Sequence, residues 1–326
     1  MRAKRLRDFG HRVGLLDPGP RNAITDVAGV LVGQTTVTGD DVYSGVTAIV
    51  PRERVLPAGF HVVNGYGKFV GATQVAELGE LETPILLTST LSTFRVADSL
   101  LTWLMERAPR PIRSVNPVVG EVNDSWLSSG DPRPVTAEHV HQALNGAHDG
   151  PVEQGNVGGG TGAIALGFKA GIGTGSRTVA LRDREATVGV LVQANFGGTL
   201  RLLGRSITPE SLGFRRPGYE RGSCVVVAAI DQPCSARQLS RIAARGVFAL
   251  GPVGASFSHG SGDYGLAFSS VPSESPRTLE PEELDRVFAA VMESVEEAVI
   301  DALLAASTIR AASGRVAEAL PYDVLG

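Results

Sequence analysis

Two residue patterns that occupy separate stretches of this chain limit what it can fold into. Short apolar runs recur at 29–33 (GVLVG), 45–50 (GVTAIV), 84–90 (PILLTST), 178–182 (TVALR), 187–196 (TVGVLVQANF), 224–230 (CVVVAAI) and 264–270 (YGLAFSS). Each has strand length. Helical spacing is confined to 95–107, 136–147, 235–250 and a long segment from Pro281 to about Ala312, where Leu284, Phe288, Val291, Val295, Val299 and Leu303 recur at steps of three and four. Pro281 suits a first helical turn. Runs of strands broken by only a few helices predict a layered α+β domain rather than a regular βαβ alternation. The short DRE link at 183–185 predicts an antiparallel hairpin. With 326 residues and 43% apolar content the chain can fill a large core, and no repeat or linker divides it, so residues 1–326 are expected to form a single domain. The least regular stretch, 204–221, lies directly ahead of Gly222.

Charge and composition remove several classes of function. A formal net charge of −4, from 30 basic and 34 acidic side chains, supplies no cationic face for a phosphate backbone, so nucleic acid is not expected as a partner. No apolar run nears the roughly 18 residues of a membrane span. The basic start MRAKRLRDFGHR is not followed by the apolar stretch of a secretory signal, and a cytoplasmic location is expected. Cys224 and Cys234 form no CxxC pair and read as reduced packing residues. The six histidines contain no HExxH, so no metal site is expected.

Five stretches carry residues able to do chemistry. In GNVGGGTGAIALGFKAGIGTGS (155–176) a phosphate loop is unsupported, because GxxxxGK[ST] is absent and Ala163 breaks GxGxxG. Glycines such as Gly159 and Gly160 either let backbone approach a substrate or simply pack. Asn195 ends a buried strand, as a turn former or as a neutral donor for an oxyanion. Ser223 follows Gly222 and opens the next apolar run. It is either the end of a loop or a nucleophile whose own α-amine, freed by cutting the preceding bond, serves as its base. Ser261 and Asp263 are two apart in a Gly-Ser-Gly-Asp turn and can aim at one point. His259 stands too close to both in the chain to complete a triad with them, and no GxSxG exists. Glu121, Asn123, Asp124 and Trp126 crowd what reads as a loop after an apolar run. That cluster is either a solvated turn or a carboxylate anchor for a substrate ammonium beside an aromatic wall.

In their order along the chain, NAITDVAGVLVGQTTV, VVGEVNDSWL, GNVGGGTGAIALGFKAGIGTGSR, VQANFGG, RGS and GSGDYGLAFSS resemble the DmpA-type aminopeptidase family. That family includes L-aminopeptidase/D-amidase-esterases and β-peptidyl aminopeptidases. The resemblance covers nearly the whole chain. It implies a four-layer α/β/β/α sandwich of N-terminal-nucleophile type, in the DmpA/ornithine acetyltransferase connectivity, cut by its own serine into an α chain (1–222) and a β chain (223–326) that stay together. Carried onto this sequence, the cut falls between Gly222 and Ser223, and Ser223 is the nucleophile. Ser261 and Asp263 match the assisting Ser-Gly-acid element, Asn195 matches the oxyanion donor, and Glu121 matches the residue that holds the substrate amine. Some β-peptide-cleaving relatives carry Glu where Asp263 stands, one methylene longer, so substrate preference does not transfer. Trp126 has no matched position and is expected to shape the pocket.

The implied activity is that of a serine aminopeptidase or amidase, without cofactor, acting on small peptides and on amino-acid amides or esters, in a homo-oligomer that the resemblance makes a tetramer. Two rivals remain: an acyltransferase that passes the acyl group to an amine, and a binding protein that keeps the scaffold uncut.

Overall fold

The apolar runs become strands of two facing sheets. The computed structural model describes residues 4–218, 222–272 and 278–326. One sheet has the order Val30–Gly39, Val42–Pro51, Ile85–Ser89, Val118–Val122, Phe69–Val70. The other has the order Ile172–Ala180, Glu185–Asn195, Ser223–Ile230, Gly262–Ser269, Leu56–Gly65, Glu80–Leu81. Helices Thr93–Arg107 and Ala137–Asn145 cover the outer face of the first sheet, and Ala236–Phe248 and Pro281–Leu304 cover that of the second. The layers therefore run α/β/β/α.

Three apolar clusters fill the three gaps between layers, and the run CVVVAAI shows why its residues alternate between two of them. Val225, Val227 and Ala229 meet Val32, Ile85, Leu87 and Val118 between the sheets. Cys224, Val226, Ala228 and Ile230 meet Leu239, Ile242, Val291 and Val295 under the helices. A strand buried on both faces has no polar side, so it reads as unbroken apolar sequence. Helix Pro281–Leu304 comes close to the sheet at Gly173, where a Cβ would lie 1.9 Å from the carbonyl oxygen of Ala298. Close approach, not a turn, is the reason for this glycine.

The structure differs from expectation in several places. The last helix stops at Leu304, not near Ala312, because the three-four apolar spacing ends at Leu303. Beyond it Ile309–Arg310 pairs with Val316–Ala317 in a small hairpin. Leu56–Gly65 is a full strand that Pro57, His61 and Asn64 disguise. Glu121 lies inside strand Val118–Val122, not in a loop. The hairpin across 183–185 forms as the sequence predicts, with Ile172–Ala180 antiparallel to Glu185–Asn195.

A buried ionic network ties the front of the chain to its end. Arg177 donates to Glu297 Oε2 at 2.7 Å and to Glu293 Oε2 at 3.1 Å, Arg7 Nε to Glu297 Oε1 at 2.7 Å, and Arg5 Nε to Asp301 Oδ2 at 2.5 Å. Desolvation raises the Glu297 carboxyl, but the Arg7 hydrogen bond and the nearby Arg177 charge outweigh it and hold the group below its usual range. Together with the second sheet, whose strands come from both sides of position 222, this network would keep two fragments cut there in one body.

Candidate active site

Strand register brings the predicted hydroxyl and amide together. Ser223 is the first residue of strand Ser223–Ile230, which occupies the middle of its sheet. Its antiparallel neighbour ends at Asn195, directly opposite Ser223, and its parallel neighbour begins at Gly262, also opposite Ser223. Three strand ends thus meet at one edge of the sheet. Ser223 is 5% exposed and Asn195 6%, so the site is largely closed to solvent. Gly222 is wedged against the neighbouring strand end, where a Cβ would lie 2.6 Å from Phe196 Cα and 3.0 Å from Gly197 N. Only a residue without a side chain fits this place.

The Ser223 hydroxyl accepts from Gly262 N at 3.3 Å. Ser261 donates to Asp263 Oδ1 at 2.7 Å, so the two bond to each other on either side of that amide. Asn64 Nδ2 donates to the other oxygen, Oδ2, at 2.9 Å. Burial pushes the Asp263 carboxyl up, and the Asn64 and Ser261 hydrogen bonds pull it partly back. Asn195 is anchored at both ends of its amide: Oδ1 accepts from Ile164 N at 2.9 Å, and Nδ2 donates to Asn123 O at 3.1 Å.

Glu121 reaches the same region from the other sheet. Its Oε1 accepts from Lys68 N at 2.8 Å, with Lys68 Nζ at 4.0 Å, while its buried Oε2 has no hydrogen-bond partner. Desolvation pushes its carboxyl above the usual range, against the pull of Lys68 and, more weakly, of the Thr90 hydroxyl. A Cβ on Gly67 would lie 2.9 Å from Glu121 Oε1 and 3.4 Å from Gly262 Cα, so the carboxylate faces the Ser223 end of the sheet across that glycine.

The remaining predicted residues lie elsewhere or have other partners. Gly159 N donates to Thr47 Oγ1 at 3.1 Å and Gly160 N to Val157 O at 2.9 Å, so neither N–H is free for a ligand. Both glycines are packing positions: a Cβ would lie 2.5 Å from Leu87 O and 2.4 Å from Ile172 N, respectively. Trp126 lines a separate cleft of about 530 Å³ with Arg215, Arg216, Arg310 and Arg315, which holds none of the other candidates. Asn64 and Lys68 escaped the sequence reading because HVVNGYGK looks like a turn, with nothing to mark either as a partner of a distant carboxylate. Among the described residues, no three His, Cys, Asp or Glu side chains converge as a metal site, and no helix is long and apolar enough to cross a membrane.

A four-layer α/β/β/α sandwich whose central strand opens at a closed-in serine, flanked by an anchored amide and two buried carboxylates, defines a hydrolase of the N-terminal-nucleophile type. The profile of peptidase family S58 matches residues 22–317. The chain is 37% identical to the β-peptidyl aminopeptidase BapA of Sphingosinicella xenopeptidilytica, over 94% of this chain and 87% of that protein. It superposes on a β-aminopeptidase from Burkholderia sp. with a TM-score of 0.91 at 37% identity, covering 99% of this chain and 97% of that one. The L-aminopeptidase D-Ala-esterase/amidase of Ochrobactrum anthropi, described as a variant of the Ntn hydrolase fold, gives 0.87 at 34% identity, with 98% and 96% covered. The chain belongs to peptidase family S58 and is an aminopeptidase or amidase that acts on peptides.

Proposed function

We propose that the chain cuts itself between Gly222 and Ser223 and then works as an N-terminal serine aminopeptidase and amidase on short peptides, amides and esters with a free amino group. The observation that carries this reading is the meeting of Asn195, Ser223 and Gly262 at one sheet edge, with Gly222 wedged where no side chain fits. In the cut, Ser223 Oγ attacks the Gly222 carbonyl and the C–N bond breaks. The acyl group moves to oxygen, and the α-amine of Ser223 is freed. Water then hydrolyses the ester and leaves Gly222 with a carboxylate.

In turnover the free amine, with a reference pKa of about 7.7–8.0, accepts the Ser223 hydroxyl proton as Oγ attacks the substrate carbonyl. Asn195 Nδ2 and backbone N–H groups stabilise the oxyanion. Collapse expels the leaving amine with that proton, and water releases the acyl group. The Ser261–Asp263 pair, oriented by Asn64, stabilises the charged amine, and the orphaned Oε2 of Glu121 takes the substrate ammonium. Likeness to β-peptidyl aminopeptidases and to an L-aminopeptidase supports β- and α-amino acyl groups alike as the acyl part. A homotetramer and a cytoplasmic setting complete the proposal, the first to be read by light scattering.

Acid quenching during turnover of an amino-acid ester tests the chemistry. Mass spectrometry is expected to find the aminoacyl group on the peptide that begins at Ser223, and the N-acetylated ester is expected to give none. Label on any other residue contradicts the assignment.

A further inference from the structure

Lys169 is a buried cation outside both the proposed mechanism and the Arg5–Arg177 ionic network. Lys169 is fully buried, and its Nζ donates to the carbonyls of Ala170 at 2.5 Å, Ala163 at 2.7 Å and Gly160 at 3.4 Å. Taking an ammonium out of water is costly, and here the compensation comes from two carbonyls of the 160–163 turn and from that of the adjacent Ala170. The residue after Ala163 is Ile164, whose N–H is the donor to Asn195 Oδ1. On the far side of the same amide, Asn195 Nδ2 meets Asn123 O, and the next residue, Asp124, is a buried carboxyl that accepts from Ser44 Oγ at 2.7 Å. Asn195 therefore sits between two segments that each carry a buried ionisable side chain. Burial draws the Lys169 ammonium down to about 7 and the Asp124 carboxyl up to about 7, while each favours the charged form of the other.

A carboxamide has two ends of nearly equal shape, and a flipped Asn195 would present an acceptor where an oxyanion needs a donor. Ile164 N–H accommodates only the oxygen end, and Asn123 O accommodates only the nitrogen end. We propose that Lys169 is the positioning residue for Asn195: by clasping the 160–164 turn it fixes the Ile164 amide, and so keeps Nδ2 as the end available to the developing oxyanion. This rests on the reading of Asn195 as oxyanion donor.

The test is a double-mutant cycle on the processed enzyme, with rates normalised to the processed fraction by intact mass. Lys169→Gln is expected to lower kcat about tenfold on an amino-acid amide with KM within twofold, and Lys169→Arg to recover part of the loss. In an Asn195→Ala background, Lys169→Gln is expected to cost nothing further. An equal loss in both backgrounds overturns the proposal, because a merely structural lysine acts independently of Asn195. If no variant at 169 gives a folded chain by near-ultraviolet circular dichroism, Lys169 is a folding residue and the proposal also falls. If Asn195→Ala alone leaves kcat unchanged, it is the oxyanion reading of Asn195 that fails, an outcome distinct from the other two.

Discussion

Asp263 and Glu121 are two carboxylates at one site, both buried and both pushed up by desolvation, yet they are finished to different degrees. Asp263 has a donor on each oxygen, Ser261 on Oδ1 and Asn64 on Oδ2. Glu121 has one donor on Oε1, Lys68 N, and none on Oε2. A buried acceptor left open is expensive, and folds seldom leave one without a use. The difference separates a group completed by its own chain from a group with one oxygen left open. It supports the proposal that Asp263 serves the nucleophile and Glu121 the substrate ammonium.

The largest effect is expected at the completed carboxylate. Asp263→Ala leaves Ser261 without its acceptor and Asn64 with only the Phe257 and Ser258 carbonyls. It should lower kcat by at least about 10²-fold and stability by about 1–3 kcal/mol, read by steady-state rates and urea melts. Full activity in that variant would show that the Ser261–Asp263 pair is only structural. At the open carboxylate, Glu121→Gln should raise KM about 10- to 100-fold for substrates with a free ammonium, the worth of one charged hydrogen bond. Its kcat should stay within a few-fold and its melting temperature should not fall. A loss of stability like that of the Asp263 variant would erase the distinction.

The same carboxylate predicts a pH dependence. Glu121 must be ionised to hold an ammonium, and its folded pKa is raised, so KM should climb as pH falls through a midpoint above the ordinary carboxylate range. The climb should be absent in Glu121→Gln. Linkage gives a second sign. A group whose folded pKa is raised favours folding while protonated, so the contribution of Glu121 to stability should be present at low pH and lost as pH rises through that midpoint. Urea melts of both proteins across the acid range check it. The smallest effect is expected at Asn64→Ala, which removes one of the two donors to Asp263 and should cost kcat roughly tenfold with KM nearly unchanged.

Sequence patterns revealed the strands buried on both faces and the helices with one apolar stripe, because in these elements burial alone dictates the residues. The run 224–230 and the spacing of Leu284 to Leu303 are such cases. Leu56–Gly65 was not legible, since its second half, HVVNG, is partly exposed and carries no unbroken apolar signal. At the site, the ordered motifs marked Ser223, Asn195, Ser261, Asp263 and Glu121, and the register then brought Asn195 and Ser223 opposite each other. Asn64 and Lys169 stayed hidden because their meaning lies in what they touch. Asn64 meets a carboxylate 199 positions away, and Lys169 meets main-chain carbonyls that any sequence would supply. Gly159 and Gly160 show the reverse case, where a motif suggested ligand contact and the space around the backbone shows packing.

The whole account turns on the bond before Ser223, and intact mass with N-terminal sequencing of the wild type beside Ser223→Ala addresses it most directly. The account predicts that active wild type consists of fragments 1–222 and 223–326, the second beginning Ser-Cys-Val, and that the variant stays a single inactive chain of 34.0 kDa. Active wild type with residues 222 and 223 still joined, or a variant cut at the same bond, would contradict it.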